Sequence, residues 1–462
     1  MAIISVLKGD MKIHFIAIGG SAMHNLAIAL HQMEYTITGS DDEIFEPSRG
    51  RLAKLGLLPP ENGWFPEKIT KDLDAIILGM HARKDNPELI RAKEKGIKIY
   101  SYPEFLFEQS KNKQRVVIAG SHGKTTITAM IMHVLHKTGV NFDFMVGAQL
   151  EGFDVMVRIS EDAGIMILEG DEYLTSPIDL RPKFHLYRPH IALITGIAWD
   201  HINVFPTFEI YIEQFREFIR LIEPGGELSY YDKDAVLQSV IDSNPDIKLV
   251  PYNLPSFIRK GRNIFLTAGN KEFPIHVFGD HNMQNIAGAM EVCSALGISQ
   301  ETFAEAISSF KGASKRLQLI DETRETAIYL DFAHAPSKLK ATVSAMKSHF
   351  ADRRLVACME LHTYSSLNSD FLQEYRGAMD AADTAVVYFN PHTIALKKLP
   401  EITGEMVMDA FGREDMLVFN DSEEMLTELL KQDWNQSNLL LMSSGNFDGL
   451  DVKEISARVL GR

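Results

Sequence analysis

The stretch Ala119–Thr126, AGSHGKTT, joins the apolar run Val116–Ala119 to a segment of helical periodicity. Ile127, Met130, Ile131, Val134 and Leu135 recur at one helix face, and Gly139 can end that helix. A loop between a buried strand and a helix N-terminus is a natural phosphate site, because unpaired backbone N–H groups and the helix dipole both favour an anion. Within it, Lys124 can neutralise terminal phosphates and the Thr125 hydroxyl can ligate Mg²⁺. The longer phosphate loop needs a glycine five residues before the Gly of Gly-Lys-Thr, where this chain has Ile118. Either the loop is of a shorter design, or it is a glycine-rich turn with a surface lysine.

Carboxylates follow in MILEGDEY. An apolar run ending in Glu169, Asp171 and Glu172 places acids at the carboxyl edge of a parallel sheet, where ligands bind and where a carboxylate beside a triphosphate would hold Mg²⁺. The run HIALITGIAWDH reads as a second strand, ended by Asp200 and His201. His133 and His136 sit three apart on the loop helix with no third ligand in view and read as structural. Near the start, IAIGGSAM puts Gly19, Gly20 and Ser21 between strand and helix, and GSDD puts Ser40 and Asp41 at the next strand end. That is not the dinucleotide fingerprint, whose third glycine would fall near Met23. Two readings stay open: a helix N-terminus facing a diphosphate with a ribose held by the acids, or ordinary tight packing. A nicotinamide-dependent oxidoreductase built on this block would need the missing glycine and would leave Gly-Lys-Thr idle.

Short apolar runs alternate with helical patterns along the 462 residues, the sequence form of βαβ units and parallel sheets. Composition turns polar and basic near 105–113, and a second block fades at Phe310–Gln318, so three α/β blocks are expected. Net charge is −15, which argues against bulk binding to nucleic acid. Cys293 and Cys358 form no framework and read as buried thiols. The N-terminal stretch has no basic region before its apolar residues and reads as neither signal peptide nor anchor. With no apolar run near 20 residues, no membrane span is expected and the cytoplasm is the default.

Taken in order, these pieces resemble the Mur ligase family, the ATP-dependent amide-forming ligases of cell-wall precursor synthesis. Its shorter phosphate loop is matched by AGSHGKTT, with Ala119 and Ser121 in place of threonines. Its E-A-D-E is matched by Glu169–Glu172, and its Asp-His by Asp200-His201. HNMQN matches its H-N-x-x-N through His281, Asn282 and Asn285. SKRLQ matches its interdomain arginine through Arg316, and LDFAHAP its aspartate before histidine-proline through Asp331 and His334.

The resemblance implies three α/β domains. A Rossmann-like domain over 1–108 would bind the UDP part of a UDP-sugar through Gly19, Gly20, Ser21, Ser40 and Asp41. A P-loop ATPase-type domain over 109–313 would bind ATP, and a Rossmann-like domain over 314–462 would bring the amine. Gly120, Ser121, His122, Gly123, Lys124, Thr125 and Thr126 would cradle the phosphates, with Lys124 on the β/γ pair. Thr125 and Glu169 would hold one Mg²⁺ and His201 a second. Asn282 and Asn285 would meet the adenine side, Arg316 the γ-phosphate, and Asp331 the ribose or the domain closure. Lys124, Glu169, His201 and Arg316 would carry catalysis.

HFIAIGGSAM is similar to the branch acting on UDP-N-acetylmuramate itself. One member of that branch adds L-alanine and the other the recycled tripeptide L-alanyl-γ-D-glutamyl-meso-diaminopimelate. LMSSGNFDGL resembles the tripeptide-adding member more, as does GSDDEIFEPSRGRLAKLGL. A monomer or weak homo-oligomer is expected. The chain departs from the family pattern at Gly196 and Ala198 (where Asn and Glu are usual), at Asn203, at Leu330 and at Ala335. No lysine near His201 is placed for carbamylation.

Overall fold

The computed structural model describes residues 11–462 apart from Glu151. The reading of the first residues as neither signal nor anchor lies mainly on positions 1–10, outside the described residues. Among the described residues no helix is long and apolar enough to cross a membrane.

The first unit is a parallel sheet of β1 (Lys12–Ile16), β2 (Thr36–Ser40), β3 (Ala75–Leu78) and β4 (Ile99–Ser101), in the order β2-β1-β3-β4. The central unit uses β5 (Gln114–Ala119), β6 (Asp143–Met145), β7 (Val157–Arg158) and β8 (Ile165–Glu169). After a small hairpin of β9 (Leu174–Ser176) and β10 (Asp179–Pro182) it adds β11 (Ile191–Ile194), β12 (Glu227–Tyr231) and β13 (Lys248–Tyr252). The order β13-β12-β11-β5-β8-β6-β7 is parallel except for β7. An antiparallel sheet of β14 (Phe257–Lys260), β15 (Asn263–Ala268) and β16 (Lys271–Ile275) flanks it. The last unit has β17 (Gln318–Glu322), β18 (Ala327–Asp331), β19 (Arg354–Leu361), β20 (Thr384–Phe389), β21 (Leu417–Phe419) and β22 (Ser437–Met442). Their order is β17-β18-β22-β19-β20-β21, with only β17 antiparallel.

The apolar runs read from the sequence are continuous because the central sheet is covered on both faces. Side chains alternate across a strand, so Val116 and Ile118 enter one core while Val117 and Ala119 enter another. The first core takes Ile127, Ile131 and Val134 of the helix Lys124–Lys137 and Ile286 of the helix Asp280–Ala295. It continues without a break into Tyr329, Ala357 and Met359 of the last unit. The second core takes Tyr211, Phe215 and Phe218 of the helix Phe208–Arg220, and reaches Ile13 and Phe15 of the first unit. Each face of one sheet is thus tied to a different neighbour, and its carboxyl edge lies between them. Cys293 and Cys358 are buried free thiols.

One element differs from expectation. The strand read across His190–His201 ends at Ile194, so Asp200 and His201 stand beyond the sheet. Gly196 has φ 143°, and the next backbone donors are taken by side chains: Ile197 N–H by Asp234 Oδ2 at 2.8 Å and Ala198 N–H by Ser121 Oγ at 2.9 Å. The apolar residues persist, but the ladder does not.

Arg115 fastens the start of β5. Its buried guanidinium donates to the carbonyls of Ser110, Lys111, Tyr187 and Arg188 and pairs with Glu223 at 3.1 Å. Removing it leaves several carbonyls short of a donor, so Arg115→Met should lower stability by roughly 2–4 kcal/mol, as read by denaturant unfolding.

Candidate nucleotide site

β5, β8 and β11 end side by side at Ala119, Glu169 and Ile194, and the loop Gly120–Gly123 rises from the first of these ends. Its backbone demands glycine twice. Gly120 has φ 115°, and a Cβ there would fall 2.1 Å from Thr195 Oγ1. Gly123 has φ 76°, and a Cβ there would fall 2.3 Å from Asn285 Oδ1. Ser121 is not exposed to ligand alone: its N–H donates to Gly196 O at 3.0 Å and its hydroxyl meets Tyr211 Oη at 2.9 Å. The loop is therefore fixed from below before any anion arrives.

The charged groups are paired. Lys124 Nζ donates to Gly120 O at 2.7 Å and to Glu172 Oε2 at 2.6 Å. Burial works against the ammonium, but Glu172, Asp171 and Glu169 outweigh it and hold the Lys124 pKa above its ordinary value. Glu172 also accepts from Tyr211 Oη at 3.1 Å. Thr125 Oγ1 donates to Glu169 Oε1 at 2.7 Å, while Glu169 Oε2 accepts from Gly147 N–H at 2.7 Å. Asp171 turns away to Lys183 at 2.5 Å.

Residues from the helix Asp280–Ala295 and from the crossing into the last unit close the cavity. Asn282 and Asn285 lie early in the helix Asp280–Ala295, beneath Gly123, and Asn285 Nδ2 donates to Asn282 Oδ1 at 3.3 Å. Arg316 stacks its guanidinium 4.6 Å from the Phe332 ring centroid and reaches Thr125 Oγ1 at 3.5 Å. Burial lowers the Arg316 pKa, against the pull of Asp331 and Glu169. Lys315 and Leu317 both have positive φ, and Leu317 N–H is held by Asp331 Oδ2 at 2.5 Å, so this crossing has one defined shape. The resulting cavity, 380 Å³, is lined by Gly123, Lys124, Thr125, Glu169, Asn282, Asn285, Arg316 and Asp331 together with Ser121, His122 and Thr126.

Other sequence-predicted residues fall elsewhere. His201 has φ 55°, packs edge-on to Tyr173 and faces Glu172 Oε1 at 3.7 Å. It does not line the cavity. His133 bonds Ala306 O and Ser309 Oγ, and His136 packs on Phe153. In the first unit Gly20 precedes the helix Ser21–Gln32, and Gly19 N–H donates to Asp41 Oδ2 at 2.7 Å. Burial lifts Asp41 to about 6. Ser40 is fully buried and its carbonyl accepts from Ala17 and Ile18. Asp41 thus already holds the loop that a diphosphate would face.

Sequence reasoning missed Thr195, Asp234, Gln284 and Lys338, which line the same cavity. Asp234 explains the glycine at 196, where a Cβ would fall 2.7 Å from its carboxylate. Lys338 carried one local signal, a cation in the first turn of a helix, where the dipole opposes it.

Three family models cover the chain: "Mur ligase family, catalytic domain" at residues 12–114, "Mur ligase middle domain" at 118–293 and "Mur ligase, glutamate ligase domain" at 315–445. The chain belongs to the Mur ligase family, a class of ATP-dependent amide ligases. A UDP-N-acetylmuramate–L-alanine ligase of Sulfurihydrogenibium sp. is 30% identical over 443 residues, covering 91% of this chain and 92% of its own. A UDP-N-acetylmuramate–L-alanyl-γ-D-glutamyl-meso-2,6-diaminoheptandioate ligase of Haemophilus influenzae is 26% identical over 460 residues, covering 96% and 98%. The crystal structure of a UDP-N-acetylmuramate–alanine ligase from Thermotoga maritima shares the fold, with TM-score 0.71 at 20% identity over 98% of this chain and 99% of that one.

Asp331 gives a pH test. Burial raises its pKa from 3.8 to about 6, against Arg316 and the Leu317 N–H. A carboxyl raised on folding binds its proton more tightly in the folded state, so stability falls as pH climbs from about 4 to about 6. Asp331→Asn removes this loss. Its stability relative to wild type should rise by about 2 kcal/mol between pH 4 and pH 7, as read by urea unfolding at each pH.

Proposed function

We propose that this chain joins UDP-N-acetylmuramate to a recycled murein tripeptide, L-alanyl-γ-D-glutamyl-meso-diaminopimelate, at the expense of ATP and by way of an acyl phosphate, in the cytoplasm. The observation that carries the nucleotide half is the pairing of Lys124 with Glu172 and Thr125 with Glu169, facing Arg316 across one cavity. A hydroxyl and a carboxylate are hard oxygen donors of the kind Mg²⁺ takes alongside phosphate oxygens, so Thr125 and Glu169 fit that ion. Bound there, Mg²⁺ would screen the repulsion between the substrate carboxylate and ATP.

The protein's own groups supply the rest. The loop N–H groups and Lys124 bind the β- and γ-phosphates, Lys124 exchanging Glu172 for phosphate oxygen. Arg316 meets charge on the phosphoryl group as it moves to the carboxylate of the muramoyl group. The amine then displaces phosphate to form the amide, and a site closed between the second and third units keeps water from the acyl phosphate. Asn282 and Asn285 lie where they can meet the base end of the nucleotide. The first unit, with Gly19, Gly20, Ser21 and Asp41, is the place for the UDP moiety.

The tripeptide half rests on the Ser443–Gly449 segment and on the likeness to the Haemophilus protein. In this segment Ser443 Oγ and Phe447 N–H both donate to the buried Glu360, and His362 Nδ1 lies 3.4 Å from it. The 30% identity to an L-alanine ligase favours a second reading, in which L-alanine is the amine.

Phosphate release with ATP and UDP-N-acetylmuramate, offered tripeptide or L-alanine, separates the two. The tripeptide should be preferred by about 100-fold or more in kcat/KM, roughly what several charged contacts contribute; turnover with L-alanine alone would overturn the tripeptide reading. Lys124→Ala should lower kcat by roughly 1,000-fold with the circular dichroism spectrum unchanged. Near-wild-type turnover in that variant would remove the nucleotide assignment.

A further inference from the structure

Lys338 is a charge the reaction above does not use. It sits in the first turn of the helix Pro336–His349, whose N-cap residue Ala335 provides no side-chain cap. The positive end of that helix opposes an ammonium there. Its carboxylate partner is Asp200 of the central unit, and the contact is long, 3.5 Å between Nζ and Oδ2. A quarter of its side-chain surface stays accessible, and the residue lines the nucleotide cavity. The groups whose charge it feels are Asp200, Lys124, Glu172 and Arg316, and it acts in turn on His122, His334 and Asp331. Its neighbour Ser337 meets His122 Nε2 at 2.7 Å. The phosphate loop and the start of this helix therefore already touch.

A half-buried ammonium whose only carboxylate within ion-pair reach among the described residues is 3.5 Å away, with a helix dipole against it and Lys124 and Arg316 nearby, is short of counter-charge despite the more distant Glu172 and Asp331. An anion entering the cavity supplies it. Resting on the nucleotide reading of this cavity, we propose that Lys338 is a phosphate-binding residue of the last unit. It gives up Asp200 for the terminal phosphate of the bound nucleotide, so that a triphosphate, more than a diphosphate, draws the last unit against the central one. The cation crosses the domain boundary, whereas Lys124 approaches the phosphates from the loop itself.

Calorimetric titration of the full chain with Mg²⁺ and either β,γ-imido-ATP or ADP tests this. Wild type should bind the triphosphate analogue more tightly. Lys338→Gln should weaken the analogue by about tenfold or more, the scale of a lost charge-assisted contact, and ADP by less than about twofold. Lys338→Arg should keep most of the preference, and Lys338→Met stands in should the glutamine variant fail to fold. Asp200→Asn separates a structural pair from a phosphate contact, because it leaves the ammonium in place; it should keep or raise the preference. Equal affinities of wild type for the two nucleotides, an unchanged ratio in Lys338→Gln, or a loss in Asp200→Asn matching that in Lys338→Gln would each overturn the proposal and leave the nucleotide reading standing. Wild type that binds neither nucleotide would overturn both.

Discussion

The structure depends on keeping several charges paired at the edge of one buried sheet. Lys124, Glu169, Glu172 and Asp331 stand where water is scarce, and isolated ions there would be costly. Each has a defined partner: Glu172 for Lys124, Thr125 and Gly147 for Glu169, Leu317 N–H for Asp331. These partners come from segments far apart in sequence. The pairing therefore fixes how the phosphate loop, the end of β8 and the crossing into the last unit meet. It also leaves a cavity whose polar atoms hold one another at distances that phosphate oxygens and a hard cation can replace.

The sheet beneath makes this arrangement possible. Alternate residues of β5 feed two different cores, one shared with the last unit and one with the first. Displacing the loop would disturb both. Gly120 and Gly123 add a steric constraint, since each has a positive φ and a neighbour where a Cβ would stand. The loop's rigidity is thus a property of its glycines and of the residues packed on them, Thr195 and Asn285, more than of any hydrogen bond within it.

Much of this was legible in the sequence where the signal was local. The apolar run into Gly120, the periodic helix after Thr125 and the acids closing MILEGDEY each sit in an element whose pattern is self-contained, and the structure brings Lys124, Thr125 and Glu169 together. Legibility failed where long-range contacts decide. The segment after Ile194 looks like strand by composition, but Asp234 and Ser121 take its backbone donors. Asp234 is 38 positions beyond Gly196, so the reason for that glycine is invisible in one dimension. Nor does one dimension show that the left-handed backbone at His201 sets its ring against Tyr173 and 3.7 Å from Glu172 Oε1. Lys338 belongs to another unit altogether and joins the site only through packing.

The central claim is that these pairs hold the place of a nucleotide. A crystal structure with a non-hydrolysable ATP analogue and Mg²⁺ tests it most directly. The account predicts Lys124 Nζ within about 3 Å of a β- or γ-phosphate oxygen, released from Glu172, with the metal on Thr125 and Glu169. A nucleotide bound elsewhere, with Lys124 still on Glu172, would contradict it.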